Sequence, residues 1–174
     1  MEIKEAQALL QKAFSQRPNT PQQWADLGCG TGTFSLALAG LLPEDSHITC
    51  VDKQDSFSHD REHQGVQLDF IKADFTKFDL SSTNYDGFLM ANSLHYIRKQ
   101  QNFLTELKEH LAPNGRILLV EYDTRRRSPW IPYPIPFQKL EKWSAQIGFE
   151  STTYLGERNS IYGSQKMYAG ALFC

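Results

Sequence analysis

Cysteine is scarce. Cys29, Cys50 and Cys174 are an odd number with no CxxC pair, which excludes a disulfide framework and speaks against a zinc site, so no metal is expected. Free thiols suit a reducing compartment. Long apolar runs are missing too. The longest, Leu36–Leu42, has seven residues and includes Gly40, whereas a membrane span needs about 20. The start, Met1-Glu2-Ile3-Lys4-Glu5, has no signal-peptide character. The expectation is a cytoplasmic protein without a membrane partner. Neither charge dominates: 18 basic residues face 20 acidic ones, net −2. Nucleic-acid binding is driven by clustered positive charge, so a nucleic-acid partner is not expected. Internal repeats and low-complexity tracts are absent. What remains is a globular composition, 40% hydrophobic over 174 residues, which suits one domain over 1–174. A chain of this length buries enough surface to fold without a staple. A monomer or a homodimer is equally consistent with it.

Residues 2–15 carry Ile3, Ala6, Leu9, Leu10, Ala13 and Phe14 at helical spacing, and Pro18 and Pro21 close the segment, giving an N-terminal helical unit within 1–20. Strands are expected at 22–27, 47–51, 66–72, 85–90 and 116–122, and helices at 34–42 and 101–111. The polar stretch 54–64 has room only for a short helix, and Pro113-Asn114-Gly115 reads as a stop between helix and strand. Strands alternating with helices argue for an α/β three-layer sandwich with a mostly parallel sheet. Two β stretches, 149–158 and 165–173, joined by a turn through Asn159-Ser160 and Gly163, give it an antiparallel C-terminal hairpin edge. About seven strands are expected in all. Four of the eight prolines lie between Pro129 and Pro136, interleaved with Trp130 and Tyr133 and preceded by Arg125-Arg126-Arg127. Proline fits neither a central strand nor a helix interior, so 123–137 reads as a lid-like loop. Loops past strand carboxyl ends are where α/β proteins bind ligands.

The sharpest local signal is Ala25-Asp26-Leu27-Gly28-Cys29-Gly30-Thr31-Gly32-Thr33-Phe34, placed strand, loop, helix. Glycine permits tight turns and close approach of a ligand. A dinucleotide fingerprint requires glycine where Thr33 stands, which disfavours a nicotinamide-dependent oxidoreductase, and no P-loop Gly-Lys-Ser/Thr follows.

The pattern Asp26-x-Gly28-x-Gly30-x-Gly32 resembles the first motif of the class I, Rossmann-like S-adenosylmethionine-dependent methyltransferases. Asp52 ends the second strand, where the family's acid holds the ribose hydroxyls. Asp74-Phe75 resembles the acid and apolar pair at the adenine. Tyr85–His95 resembles the fourth-strand motif, and Leu111–Val120 the helix, turn and fifth strand. The ordered set runs from 24 to about 122. The resemblance implies S-adenosylmethionine as cofactor, held by Asp26, Gly28, Cys29, Gly30, Thr31, Gly32, Asp52, Lys53, Asp74, Phe75, Ala91 and Asn92. It implies methyl transfer to a nucleophilic atom of a small-molecule acceptor. The alternative is a non-catalytic cofactor-binding or partner protein on the same fold. His95, Tyr122, Trp130 and Tyr133 are candidates for the acceptor side. His95 is the catalytic candidate, as a general base for an acceptor that carries a proton. From the residues alone a structural or flanking role for it is favoured over the base.

Overall fold

The structure is a computed structural model and describes residues 1–15, 18–81, 83–159 and 165–174. Its centre is β1 (Gln23–Leu27), flanked on one side by β2 (His47–Asp52), β4 (Val66–Lys72) and β3 (Glu62–His63), and on the other by β5 (Tyr85–Ala91), β6 (Leu111–Tyr122), β8 (Lys166–Phe173) and β7 (Ser151–Asn159). Strands β4, β2, β1, β5 and β6 pair parallel, and β8 and β7 close the edge antiparallel. Parallel strands are covered on both faces and read as near-continuous apolar runs. Ile48, Cys50 and Val51 in β2, and Ile117–Val120 in β6, are all buried for that reason.

Helices α1 (Ile3–Leu10) and α2 (Thr33–Ala39) cover one face. Helices α3 (Gln100–Glu109) and α4 (Phe137–Ile147) cover the other. In α1 the residues Ala6, Leu9 and Leu10 face inward, and a reciprocal Glu2–Glu5 capping box starts the helix. In α3 the inward residues are Phe103, Leu104 and Leu107, at helical spacing. Truncating such a buried leucine to alanine costs about 2–5 kcal/mol. Layers pack closely at the sheet as well. A Cβ on Gly87 of β5 meets the Trp24 ring at 2.3 Å, so only glycine fits beneath that indole.

The strand order reverses between β1 and β5. This switch point leaves a crevice outside the strand carboxyl ends, the place where open α/β sheets take ligands. Among the described residues no helix is long and apolar enough to cross a membrane.

The sheet has eight strands, one more than the sequence reading gave. The extra strand, β3, is two residues long and pairs antiparallel with β4 through Gln64 (φ 54°) and Gly65 (φ 78°). Two successive positive φ values make a tight hairpin turn. The stretch 54–64, with room only for a short helix, forms none. Phe57 instead stacks on Phe70 of β4, with ring centroids 5.6 Å apart. Pro113-Asn114-Gly115 lies inside β6 as an irregularity, where pairing steps from Tyr85↔Leu111 to Gly87↔Arg116 and Asn114 takes φ 62°. Helix α4 was not among the sequence expectations. The hairpin turn expected at Ser160 and Gly163 lies outside the described residues.

Candidate active site

β1 stops at Leu27, and the glycine loop folds over its end. The amides of Gly28 and Cys29 both donate to Val51 O, at 2.8 and 3.2 Å, which ties the loop to β2. Gly28 has φ 86°, and a Cβ there would lie 2.5 Å from Ser93 Cβ. Ser93 Oγ in turn donates to Leu27 O at 2.6 Å, so the ends of β1 and β5 are sewn together at the switch point. Gly32 (φ 91°) is equally confined, by Phe57. Gly30 (φ 55°) differs: nothing lies within 4 Å of its missing Cβ. Its open side gives onto a cavity of about 230 Å³ whose wall includes Gly28, Thr31, Ala91, Asn92 and Tyr122.

Asp26 also lies on that wall and is fully buried. Its Oδ2 accepts from Ser35 Oγ at 2.6 Å, while Oδ1 has no partner. Burial pushes the carboxyl up to about 7, against the Ser35 hydrogen bond and with help from the charge of Asp52. Asn92, on the same wall, holds φ 57°, and its Oδ1 is likewise buried and unpartnered. Buried polar atoms are normally hydrogen-bonded. Two orphaned acceptors on one cavity therefore call for a ligand that brings donors, best of all a cationic one.

Asp52 is held differently. Oδ2 accepts from Gly30 N and Oδ1 from Gln54 N, both at 2.9 Å. Asp74 caps a short 3-10 turn (Phe75–Lys77), accepting from Thr76 N and Oγ1 at 3.0 and 2.7 Å. Lys53 Nζ lies 3.2 Å from its Oδ2. The Thr76 hydrogen bonds, with help from Lys53, hold the Asp74 carboxyl below its ordinary value. Phe75 reaches the underside of the glycine loop, 3.3 Å from the position of a Gly28 Cβ. Cys29, buried in the loop, has its thiol pushed far up by interaction with Cys50 and by burial, so it is no nucleophile.

His95 sits in a single 3-10 turn after β5 (Leu94–Tyr96), 2% exposed and off the cavity wall. Its Nδ1 lies 2.6 Å from Glu121 Oε2, and its backbone N donates to Glu121 Oε1 at 3.2 Å. Glu121 is itself 1% exposed, on β6. A carboxylate against Nδ1 makes that nitrogen the donor, and Nε2 carries no hydrogen bond among the described residues. His95 O accepts from Tyr133 N at 3.0 Å, so the proline-rich loop is fastened to the histidine turn.

The sequence candidates thus divide. Asp26, Gly28, Cys29, Gly30, Thr31, Ala91, Asn92 and Tyr122 share the cavity. Asp52 and the Lys53–Asp74 pair stand beyond the loop, reached through Gly30. His95 is one step from the wall, three residues after Asn92 and bonded to the neighbour of Tyr122. Tyr133 opens onto an adjoining groove, and Trp130, 78% exposed, lines neither space. Sequence reasoning missed Glu121, whose signal was an acid inside the most apolar strand, RILLVEY. It also missed Met1, Arg158 and Met167 on the cavity wall, for which no local pattern exists.

A sheet that reverses at β1/β5, a glycine loop at that point, an acid ending the next strand and an antiparallel β8–β7 edge are the arrangement expected of a class I S-adenosylmethionine-dependent methyltransferase domain. The family model described as "Methyltransferase domain" matches residues 25–115, and the chain belongs to that family. It is 25% identical over 162 residues to the ubiquinone/menaquinone biosynthesis C-methyltransferase UbiE of Azotobacter vinelandii, covering 85% of this chain and 64% of that protein. Probable polyketide synthase 38 of Dictyostelium discoideum is 28% identical over 119 residues, 55% of this chain and 4% of the synthase. The chain therefore spans less than two thirds of these relatives. In fold it is similar to the CurJ carbon methyltransferase, with TM-score 0.70 and 19% identity over 98% of this chain and 54% of that one. A similar likeness, TM-score 0.69 and 14% identity over 98% of this chain and 77% of the other, holds to the 1,6-didemethyltoxoflavin-N1-methyltransferase of Burkholderia thailandensis.

Proposed function

We propose that this chain transfers the methyl group of S-adenosylmethionine to a proton-bearing nucleophilic atom of a small-molecule acceptor, with His95 as the base. The observation that carries this reading is the buried His95–Glu121 pair at 2.6 Å, beside a cavity with two orphaned acceptors.

The residues present fit the cofactor. Asp26 Oδ1 and Asn92 Oδ1 would take its amino group, Asp52 the ribose hydroxyls, and Asp74 with Phe75 the adenine. Bound there, the cofactor supplies an electrophilic methyl on a sulfonium. The chain's own work is then to hold the acceptor in line, exclude water and move one proton. His95 Nε2 accepts the proton of the acceptor atom as that atom's electron pair is freed. Glu121, accepting from Nδ1–H, keeps the ring in the required tautomer and stabilises the imidazolium, the arrangement seen in hydrolase triads. An ionised acceptor would have no use for so carefully held a histidine, and this favours a base where the residues alone favoured a flanking role. The relatives named as C-methyltransferases favour an acidic carbon as the atom methylated. Residues 1–174 serve as one unit in this reading, with α1 and the segment 123–137 shaping the acceptor side.

The test has two parts. S-adenosylhomocysteine at a hundredfold its dissociation constant should raise stability by about 2.7 kcal/mol, and NAD should not; no stabilisation by either cofactor form overturns the whole reading. With enolisable and phenolic acceptors screened for turnover, His95→Gln should lose roughly 10²–10⁴ in rate, with S-adenosylhomocysteine affinity kept. Turnover surviving at near wild-type level removes His95 as the base.

A further inference from the structure

Behind the histidine turn lies a second concavity, of about 530 Å³, between the loop after β6 and helix α4. Five cations line it: Arg98, Arg125, Arg127, Lys139 and Lys142. No carboxylate does, and among the described residues none of the five makes an ion pair. In a chain of net charge −2 this is a strong segregation. The cations lean on neutral partners instead. Arg127 lies over the Tyr133 ring at 5.7 Å, Lys139 over the Trp143 ring at 4.4 Å, and Arg125 donates to Gln138 Oε1 at 3.2 Å. Burial, with the charge of Arg127, holds the Lys139 ammonium below its ordinary value.

The wall of the groove is tied to the backbone of the histidine turn. Gln100 and Tyr133, both on its wall, are joined by a 2.7 Å hydrogen bond from Gln100 Nε2 to Tyr133 O. Gln100 Nε2 also donates to Leu94 O, and Tyr133 N to His95 O. We infer that this groove is a subsite for a phosphoryl-bearing part of the acceptor, a pyrophosphate or paired phosphates, which anchors the molecule while its other end reaches His95. Guanidinium and ammonium groups together suit phosphate oxygens, the first by paired hydrogen bonds and the second as a point charge. A single carboxylate would need one such cation, not five. Concavity favours a small group over an acidic protein surface. The word acceptor rests on the methyl-transfer reading; the anion site does not.

The test uses the whole chain in about 0.15 M salt. Calorimetric titrations are run with pyrophosphate, citrate and a hexaglutamate peptide, each with and without S-adenosylhomocysteine. Saturable pyrophosphate binding is expected. The triple variant Arg127→Gln, Lys139→Gln, Lys142→Gln should weaken it about tenfold or more while melting temperature and S-adenosylhomocysteine affinity stay as in the wild type. The variant Lys4→Gln, Lys12→Gln, Lys72→Gln removes the same charge elsewhere and should leave pyrophosphate binding intact. Equal weakening in both triples means diffuse charge and overturns the site. So does the absence of saturable pyrophosphate binding, or citrate or hexaglutamate binding as tightly as pyrophosphate. Should the groove triple melt early, the single variant Lys142→Gln, exposed in the wild type, carries the test with an expected weakening of about threefold. Failure of S-adenosylhomocysteine to bind the wild type sinks the methyl-transfer reading alone.

Discussion

The two concave regions of this molecule are built from opposite materials. Around the cavity at the switch point the part of the wall nearest the sheet is the glycine loop with buried Asp26 and Asn92, fixed by the sheet register and by loop amides tied to Val51 and Asp52, while Met1, Arg158 and Met167 complete it. Around the neighbouring groove the wall is the ends of long cationic chains and proline-fixed turns. Backbone and glycine leave little to adjust, and long side chains each keep much rotamer freedom. The first wall is suited to one invariable ligand. The second can be retuned by a few substitutions without disturbing the fold, which is what an enzyme needs on the side that chooses its acceptor.

That contrast breaks most readily at Gly28. Alanine there meets Ser93 Cβ at 2.5 Å with φ at 86°, so Gly28→Ala should cost about 2–4 kcal/mol of stability and abolish measurable S-adenosylhomocysteine binding. Urea midpoints measure the first and calorimetry the second. A loss below about 0.5 kcal/mol, the scale of an ordinary surface change, would show that the loop yields.

Asp26 sharpens the comparison through pH. Its folded value of about 7 stands above the ordinary 3.8, so the folded chain binds the extra proton in between. The stability this represents is full below about pH 4 and is lost as pH rises through about 7, a loss on the order of 4 kcal/mol. Unfolding curves of wild type and Asp26→Asn should diverge by that slope, about 2–3 kcal/mol between pH 5 and pH 7. Parallel curves would mean the carboxyl is ionised throughout. A cationic ligand group at Oδ1 should draw the proton off, so binding near neutral pH should release protons and its heat should vary with the buffer.

Asp52→Ala comes next. It removes the acceptor for Gly30 N and the expected acceptor for ribose, and should weaken S-adenosylhomocysteine about tenfold, 1.4 kcal/mol. Unchanged affinity by calorimetry would remove Asp52 from the site. The smallest effect is expected at Trp130, 78% exposed. Trp130→Ala should change stability by less than about 0.5 kcal/mol; a larger loss in a urea titration would place that ring against the fold after all.

The glycine loop, Asp52 and Asp74 were legible because each sits at the end of a short strand, and strand ends are marked by composition. Glu121 was legible only as an oddity. It meets His95 across 26 residues, and only the parallel pairing of β5 with β6 brings them together. β3 was invisible because two residues make no pattern. α4 was missed because it follows four prolines and buries little, with only Leu140 and Ser144 fully inside.

The three tryptophans fall in three different surroundings. Trp24 is sealed in the core with its Nε1 donating to Gln22 Oε1 at 3.0 Å, Trp130 stands in water, and Trp143 is half-buried under Lys139 in the groove. Emission from a dry indole lies to the blue of that from a wet one, and a nearby ammonium perturbs it further. Single tryptophan-to-phenylalanine replacements would therefore split the fluorescence into a reporter of global unfolding, a reporter of the proline-rich loop and a reporter of groove occupancy. The chain needs no attached dye to be watched at all three places.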